Sequence, residues 1–127
     1  MEVKRILLLG GAGFMGTNLT NKLLAEGYEV SVLNRPTTKK IVFDQKYNLP
    51  EVFQVDLRDF NQVEGSIRNN HFDMVIHLIS NLSPGSTFTK FLAESDLSIK
   101  INCRLLDLLY SCDVKNFIYF SSGGTVY

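Results

Sequence analysis

The segment Arg5-Ile6-Leu7-Leu8-Leu9-Gly10-Gly11-Ala12-Gly13-Phe14-Met15-Gly16 decides the fold of this 127-residue chain. Residues 5–9 are a short, continuous apolar run, which is typical of a strand buried on both faces of a parallel sheet. From Phe14 to Glu26 the apolar residues change to helical spacing, and Gly27 follows as a helix-ending glycine would. The apolar positions of this predicted helix are Met15, Leu19, Leu23 and Leu24. The segment therefore predicts a buried strand, a glycine turn and a helix in immediate succession.

The glycines of the turn satisfy two spacings at once. GxGxxG runs through Gly11, Gly13 and Gly16, and GxxGxxG runs through Gly10, Gly13 and Gly16. A position between a buried strand and an amphipathic helix is the context in which such a motif binds a dinucleotide. Gly10 or Gly11 permits the tight turn, whereas Gly13 lacks the Cβ that would block a pyrophosphate. Gly16 lets the helix pack closely on the sheet.

The first turn of the predicted helix supplies the donors for the phosphates. Its N–H groups, around Phe14 and Met15, lack partners within the helix and point toward a bound anion, which the helix dipole also favours. The alternative is a glycine-rich turn that serves chain geometry only. No GxxxxGK[ST] motif is present in the sequence, which disfavours a nucleoside triphosphatase.

The rest of the chain repeats the alternation of strand and helix. Further strands are predicted at Glu29–Leu33, Val52–Val55, Met74–Leu78 and Asn116–Phe120. A short helix is marked by Val63 and Ile67, and residues 91–111 form a longer one through Ile101, Leu105, Leu108 and Leu109. Loops are predicted at Asn34–Pro50 and Ser80–Lys90. We therefore expect one α/β domain, a Rossmann-type open parallel sheet of about five strands flanked by helices.

Charge and hydropathy exclude several classes of partner. Thirteen Lys and Arg residues balance thirteen Asp and Glu residues, so the chain has no net field that would attract a nucleic acid. No apolar run approaches the roughly 20 residues needed to span a bilayer, and the first residues lead into a strand rather than a signal peptide. We expect a cytoplasmic domain, residues 1–127, without nucleic-acid or membrane partners.

The two cysteines do not indicate a disulfide or a metal site. Cys103 and Cys112 fall in one predicted helix, where their spacing puts them on opposite faces about 13 Å apart. That distance excludes a bond between them. Neither cysteine lies at metal-ligand spacing with His71 or His77, so no metal site is predicted.

The end of the second strand bears on the choice of dinucleotide. An acidic residue there usually takes the ribose 2′-hydroxyl of NAD, but the chain has Asn34 followed by Arg35. Asn34 still offers a hydrogen bond and does not repel a phosphate, while Arg35 could face the 2′-phosphate of NADP. Lys39 and Lys40 follow in the loop, where they are either further phosphate ligands or solvated cations. The pattern favours NADP slightly over NAD.

Four motifs, in order, resemble the N-terminal half of the extended short-chain dehydrogenase/reductase family, specifically its nucleotide-sugar epimerases and dehydratases. The glycine turn is similar to the family's GxxGxxG loop. Val55-Asp56-Leu57-Arg58-Asp59 is similar to its third-strand signature, and Val75-Ile76-His77-Leu78-Ile79-Ser80 is similar to its fourth-strand segment. Phe120-Ser121-Ser122-Gly123-Gly124-Thr125-Val126-Tyr127 resembles the SS…VYG signature that follows the fifth strand. The likeness runs along essentially the whole chain.

The resemblance implies several cofactor contacts. Asp56 and Leu57 would meet the adenine, and the backbone of Leu78, Ile79 and Ser80 would lie along the dinucleotide. Each role has a simpler alternative, since Asp56 could cap the following turn. Two further residues are given no role in the chemistry: Asp59 is expected to be a helix N-cap and His77 a packed core histidine.

The resemblance also implies the chemistry of the complete enzymes. They transfer a hydride at C4 of a UDP- or dTDP-linked sugar, with a Tyr-x-x-x-Lys pair and a Ser or Thr moving the protons. The usual hydroxyl position is Gly123 here, so Ser122, which we prefer, or Thr125 would have to serve as the catalytic hydroxyl. No Tyr-x-x-x-Lys occurs in the sequence. We therefore expect a cofactor-binding domain, truncated after strand five, that lacks the C-terminal sugar-nucleotide-binding part and is inactive by itself.

Other interpretations remain open. Gly123 fits a non-catalytic dinucleotide-binding or sensor module, and Asn34 with Arg35 fits an NADPH-dependent reductase of the same superfamily. Residues 116–120 would also form an uncovered apolar edge of the sheet, which favours a homo-oligomer through strand pairing with another copy.

Overall fold

The computed structural model describes residues 2–80 and 85–121. Elements are numbered in chain order. The strands are β1 (Arg5–Leu9), β2 (Glu29–Asn34), β3 (Glu51–Gln54), β4 (Met74–His77) and β5 (Asn116–Tyr119). The helices are α1 (Phe14–Ala25), α2 (Phe60–Arg68) and α3 (Phe88–Ser111). Every predicted element is present, with ends that differ from the prediction by at most three residues.

The five strands form one parallel sheet in the order β3-β2-β1-β4-β5. β1 lies at the centre, where Leu7 is paired with Ser31 of β2 on one side and Val75 of β4 on the other. This arrangement confirms the predicted Rossmann-type sheet. The chain runs from β1 through β2 to β3 on one side of the sheet and then crosses back to β4 on the other side of β1. A crevice opens at the carboxyl ends of the strands where this order reverses.

Helices cover both faces of the sheet, which explains the unbroken apolar run of β1. Ile6 and Leu8 face one core, beneath α1, whereas Leu7 and Leu9 face the other, beneath α2 and α3. These four side chains are at most 2% exposed. Successive strand residues point to opposite faces, so a central strand between two helical layers needs apolar residues at every position.

The buried face of α1 differs from the prediction. Gly16, Thr20 and Leu24 face the sheet, while Met15 is 56% exposed. Of the predicted apolar stripe, Leu24 is buried in this contact and Leu19 and Leu23 pack, partly buried, against the same core, so only Met15 departs from the prediction. The helix starts directly after a tight turn and lies too close to the backbone of Gly10 and Gly11 for a side chain at position 16, so small residues occupy the line of closest approach.

The beginning of α3 is a second correction. The helix starts at Phe88, three residues before the predicted start and inside the predicted loop. Thr87 is its N-cap, and the Thr87 hydroxyl accepts a hydrogen bond from the Lys90 amide at 3.3 Å. A threonine that satisfies an otherwise unpaired N–H group fixes the start of a helix in a stretch of polar composition.

Smaller differences concern β3 and the cysteines. β3 ends at Gln54, but the Val55 amide still donates to the Asn34 carbonyl at 2.8 Å. Both cysteines are free thiols. Cys112 caps the end of α3 instead of lying within it. None of the helices in the described part of the chain combines the length and apolar content that a membrane span requires.

Candidate functional site

Gly10 makes the tight turn at the carboxyl end of β1. Its φ of +85° lies in the left-handed region, which favours glycine. The Gly10 amide donates to the Leu33 carbonyl at 2.8 Å, and the Gly10 carbonyl accepts from the Gly13 amide at 3.3 Å. A Cβ at position 10 would also lie 2.9 Å from Cγ1 of Ile79. Of the two glycines that the sequence left as candidates for the turn, Gly10 is therefore the one that makes it.

The neighbouring glycines permit close packing. A Cβ at Gly11 would lie 2.7 Å from Cγ2 of Val32 in β2. A Cβ at Gly16 would lie 2.4 Å from the Gly10 carbonyl oxygen and 2.5 Å from the Cα of Gly11. Gly16 therefore brings the first turn of α1 against the backbone of the glycine turn, as its place in the motif predicts.

Gly13 has a different environment. It is the N-cap of α1 in an extended conformation, and a Cβ there would meet only the Gly10 carbonyl oxygen, at 3.7 Å. No side chain caps the first amides of α1, and Gly13 itself lines the crevice at the carboxyl ends of the strands. The backbone thus leaves space in front of a set of N–H donors, which is the arrangement that an anion needs.

A crevice of about 260 Å³ lies beside this turn. It collects the ends of β1, β2 and β3 together with the segment after β4. Nine of the predicted cofactor-binding residues line it, namely Gly10, Gly13, Asn34, Arg35, Asp56, Leu57, Leu78, Ile79 and Ser80. The structure thus brings these positions together around one space, and their contacts with a ligand stay a prediction.

The other predicted residues have different surroundings. Phe14 is 87% exposed and, with Met15, Leu78 and Phe120, borders an apolar hollow beside the crevice. Gly16 is buried under the turn. Ser122 and Thr125, the predicted catalytic hydroxyls, lie outside the described residues.

Asp56 and two arginines form the charged end of the crevice. The Asp56 carboxylate accepts hydrogen bonds from the Arg58 amide at 2.9 Å, from Nε at 3.0 Å and from a terminal guanidinium nitrogen at 2.8 Å. These bonds, with a smaller contribution from the charge of Arg35, lower the pKa of Asp56 to about 2. Asp56 therefore caps its turn, which was the simpler alternative to a contact with the adenine. It also lines the crevice.

The role of Arg58 was missed in the sequence. Arg58 stands two positions after Asp56. This spacing, which places an arginine across a turn from a carboxylate, was the signal in the sequence that could have indicated the pairing. Lys39 and Lys40 do not appear among the described residues that line the crevice. Asp59 is the N-cap of α2, as predicted, and accepts from the Gln62 amide.

Removing the Arg58 side chain is expected to restore an ordinary carboxyl group at Asp56. We expect Arg58→Ala to raise the Asp56 pKa from about 2 toward its usual 3.8. Because the folded pKa is depressed, the pair stabilises the fold above pH about 4 and loses this contribution as the pH falls toward 2. Both side chains are partly exposed, so solvent screens the pair and the effect on stability is small. An NMR titration of the Asp56 carboxyl carbon measures the shift, and an unchanged midpoint would contradict the pairing.

His77, at the end of β4, lies beside the crevice, in the lining of a neighbouring cavity that shares Leu57, Ile79 and Ser80 with it. It is 3% exposed, as expected of a packed histidine, but both ring nitrogens are hydrogen-bonded. Nδ1 accepts from the Ile79 amide at 3.3 Å, and Nε2 lies 3.1 Å from Oδ1 of Asn102 in α3. The rings of Phe117 and Tyr119 contact it from β5. Burial lowers the pKa of His77.

Sequence comparison identifies the family. Residues 6–127 match the profile of the NAD dependent epimerase/dehydratase family. The chain is 27% identical over 125 residues to a putative UDP-glucose 4-epimerase of Methanocaldococcus jannaschii, covering 96% of this chain and 39% of that protein. It is 31% identical over 133 residues to UDP-glucose 4-epimerase 2 of Arabidopsis thaliana, covering 98% of this chain and 37% of the relative.

Solved structures show the same relationship. The UDP-glucose 4-epimerase of Bifidobacterium longum, in complex with NAD+ and UDP, superposes with a TM-score of 0.83 at 26% identity. That alignment covers 94% of this chain and 37% of the epimerase. The Thermus thermophilus enzyme, in complex with NAD, gives a TM-score of 0.78 at 29% identity, over 94% of this chain and 38% of the other.

The chain therefore spans less than two fifths of these two solved epimerases and of the Arabidopsis enzyme, and about two fifths of the Methanocaldococcus protein. The family match, in contrast, extends over nearly all of this sequence. The glycine turn, the parallel sheet and the crevice at its carboxyl edge agree with that match. On this evidence, the chain belongs to the NAD-dependent epimerase/dehydratase family.

Proposed function

We propose that the crevice binds a nicotinamide dinucleotide. The observation that carries this proposal is the position of the glycine turn. It starts α1 at the carboxyl edge of the sheet, where the strand order reverses, with no side chain capping the first amides of the helix. The side of Gly13 on which a Cβ would stand holds only one backbone oxygen, at 3.7 Å, so a pyrophosphate has room there. Two solved relatives contain NAD, which supports the same ligand class.

The residues of this chain suggest an orientation for that ligand. Amides around Phe14 and Met15 would hold the pyrophosphate, and Asp56 with Leu57 would meet the adenine. Asn34 and Arg35 would face the adenosine ribose, while the backbone after β4 would lie along the dinucleotide. When bound, the nicotinamide supplies the hydride chemistry.

The choice between NAD and NADP is the second part of the proposal. Arg35 lines the crevice and favours NADP, as the sequence predicts, whereas the solved relatives contain NAD and give NADP no support. We expect calorimetric titration at about 0.15 M ionic strength to detect binding of both. If the NADP preference holds, Arg35→Ala will weaken NADP binding about tenfold and NAD binding by less than about twofold.

Lys39→Ala is the matched control, because Lys39 follows Arg35 in the same loop but lies outside the crevice lining. Tighter binding of NAD than of NADP by the unmodified chain would contradict the predicted preference for NADP. Absence of binding for both dinucleotides would contradict the proposed function.

We further propose that the chain is the cofactor-binding part of a nucleotide-sugar epimerase or dehydratase and is inactive by itself. The absence of a Tyr-x-x-x-Lys sequence supports this proposal. Ser122 or Thr125 would then supply the catalytic hydroxyl in the complete protein. Gly123 favours a second candidate, a non-catalytic dinucleotide-binding module. Conversion of UDP-glucose by the 127-residue chain would contradict the proposed inactivity. A Tyr-x-x-x-Lys sequence in a longer form of the protein would favour the enzyme over the non-catalytic module.

The exposed edge of β5 leads to a prediction of self-association with a second copy of the chain. Ile118, Tyr119 and Phe120 are between 41% and 51% exposed at this edge. We expect light scattering at about 50 µM to show dimers that Ile118→Lys abolishes, because a charge blocks strand pairing at an edge.

A second apolar surface provides the comparison for this test. The outer face of α3 exposes Leu92, Ile99, Leu106 and Tyr110 at helical spacing. Leu106→Lys is therefore the matched variant. Dimers lost only with Leu106→Lys would assign the contact to α3 and contradict the edge, and a clean monomer would contradict self-association.

A further inference from the structure

The hydrogen-bonded histidine beside the crevice has no role in the function proposed above. His77 takes part in no proposed chemistry, yet both of its ring nitrogens have partners in different parts of the fold. A backbone amide only donates, so Nδ1 facing the Ile79 N–H carries no proton. Nε2 then carries the proton and donates to Oδ1 of Asn102. The two contacts together fix one neutral tautomer of the ring.

The contact with Ile79 reaches the dinucleotide crevice. Ile79 lines that crevice, and its amide nitrogen would lie 3.5 Å from a Cβ at Gly10. His77 therefore holds the segment after β4, which packs directly against the glycine turn. Movement of this segment would change the width of the crevice beside the proposed pyrophosphate position.

We propose that His77, held as its Nε2–H tautomer by Asn102, is a positioning residue that fixes the Leu78–Ser80 wall of the dinucleotide crevice. This inference rests on the proposed function for its effect on binding, while the tether itself is a property of the free chain. The tether is the hydrogen bond from the Ile79 amide to Nδ1, and the contact of Nε2 with Asn102 of α3 holds the ring in the tautomer that accepts it.

Protonation of the ring would break the tether. An imidazolium has N–H groups at both nitrogens, so Nδ1–H would oppose the Ile79 N–H. The groups that face the ring are the Asn102 amide from α3 and the rings of Phe117 and Tyr119 from β5. The phenol of Tyr119 is the titratable group among them. These surroundings offer little to compensate a positive charge, and the low pKa of the buried ring agrees with the neutral form.

Two amide substitutions separate the two contacts. In His77→Asn, the side-chain oxygen can take the place of Nδ1 and accept from Ile79, so the tether is kept. In His77→Gln, the longer amide reaches the place of Nε2 and keeps the Asn102 contact, while the tether is lost. We expect His77→Gln to weaken dinucleotide binding about fivefold relative to His77→Asn.

If His77 only filled space in the core, the two variants would have the same dinucleotide affinity. Amide hydrogen exchange at Ile79 in the free chain gives a second readout, which we expect to be about fivefold faster in His77→Gln than in His77→Asn. Circular dichroism verifies that both variants fold. Equal exchange rates and equal affinities in the two variants would overturn the proposal.

Asn102→Asp tests the tautomer without changing the ring. A carboxylate at this position favours the imidazolium, so protonation of His77 shifts to higher pH. We expect the dinucleotide affinity of this variant to fall about fivefold between pH 8 and pH 6 and that of the unmodified chain to change less than twofold. A flat profile for Asn102→Asp would overturn the tautomer assignment.

The outcomes distinguish this inference from the proposed function. If the unmodified chain binds neither NAD nor NADP, the proposed function fails, and the role of His77 in binding fails with it. The exchange rates still decide whether the tether exists. If the unmodified chain binds and the variants bind equally well, only the inference about His77 fails.

Discussion

Gly16→Ala is expected to destabilise the fold by about 3 kcal/mol. The new Cβ would stand 2.4 Å from the Gly10 carbonyl oxygen and 2.5 Å from the Gly11 Cα, distances that require backbone to move. No rotamer change relieves this clash, because the atoms on both sides belong to the main chain. Either α1 shifts away from β1 or the glycine turn deforms. Urea unfolding followed by circular dichroism measures the loss.

Gly65→Ala is the matched control for this substitution. Gly65 lies inside α2, and a Cβ there would have no heavy atom within 4 Å. Alanine is the better helix former, so we expect this variant to be about 0.5 to 1 kcal/mol more stable than the unmodified chain. Similar stabilities for the two alanine variants would show that close contact at Gly16 does not matter to the fold.

Gly13→Val is expected to abolish dinucleotide binding while the chain stays folded. The backbone at Gly13 is extended, and its Cβ would meet only one oxygen at 3.7 Å, so valine fits in the free protein. The loss of a favourable N-cap residue costs about 1 kcal/mol. In the proposed complex, however, the side chain would occupy the space in front of the α1 amides and displace the pyrophosphate.

The expected loss of affinity is at least about 100-fold. Each hydrogen bond to a charged group contributes about 1.5 to 3 kcal/mol, and displacement of the pyrophosphate removes at least two of them. Calorimetric titration with NAD and NADP measures this loss, and urea unfolding of the same variant establishes that it is folded. Undiminished binding by a folded Gly13→Val chain would show that the phosphates do not bind at the glycine turn.

The glycine turn shows how far sequence reasoning reaches into the site. The spacing predicted close packing at Gly16 and an open position at Gly13, since both depend on backbone within a few residues. It left open whether Gly10 or Gly11 makes the turn. Only the positive φ of Gly10, and the contact of Gly11 with Val32, decide this point, because Val32 comes from a different strand.

The charged end of the crevice shows the corresponding limit. Asp56 and Leu57 were predicted from a motif, and the structure places both beside Asn34 and Arg35 at the ends of neighbouring strands. The use of Arg58 to hold the Asp56 carboxylate was not predicted. Residue types alone do not determine which nearby cation a carboxylate selects, because the choice depends on how the turn after β3 directs the two side chains.

The sequence by itself determined the order of strands and helices, the parallel Rossmann-type sheet and the glycine turn after the first strand. Hydrophobic period and glycine spacing are local, so they specify local structure. The tertiary structure alone decided that Thr20 joins Gly16 on the face of α1 that approaches the sheet, and that His77 meets Asn102. Such contacts join residues far apart in the chain, and they depend on strand register and on the approach of a helix to the sheet, which no local pattern encodes.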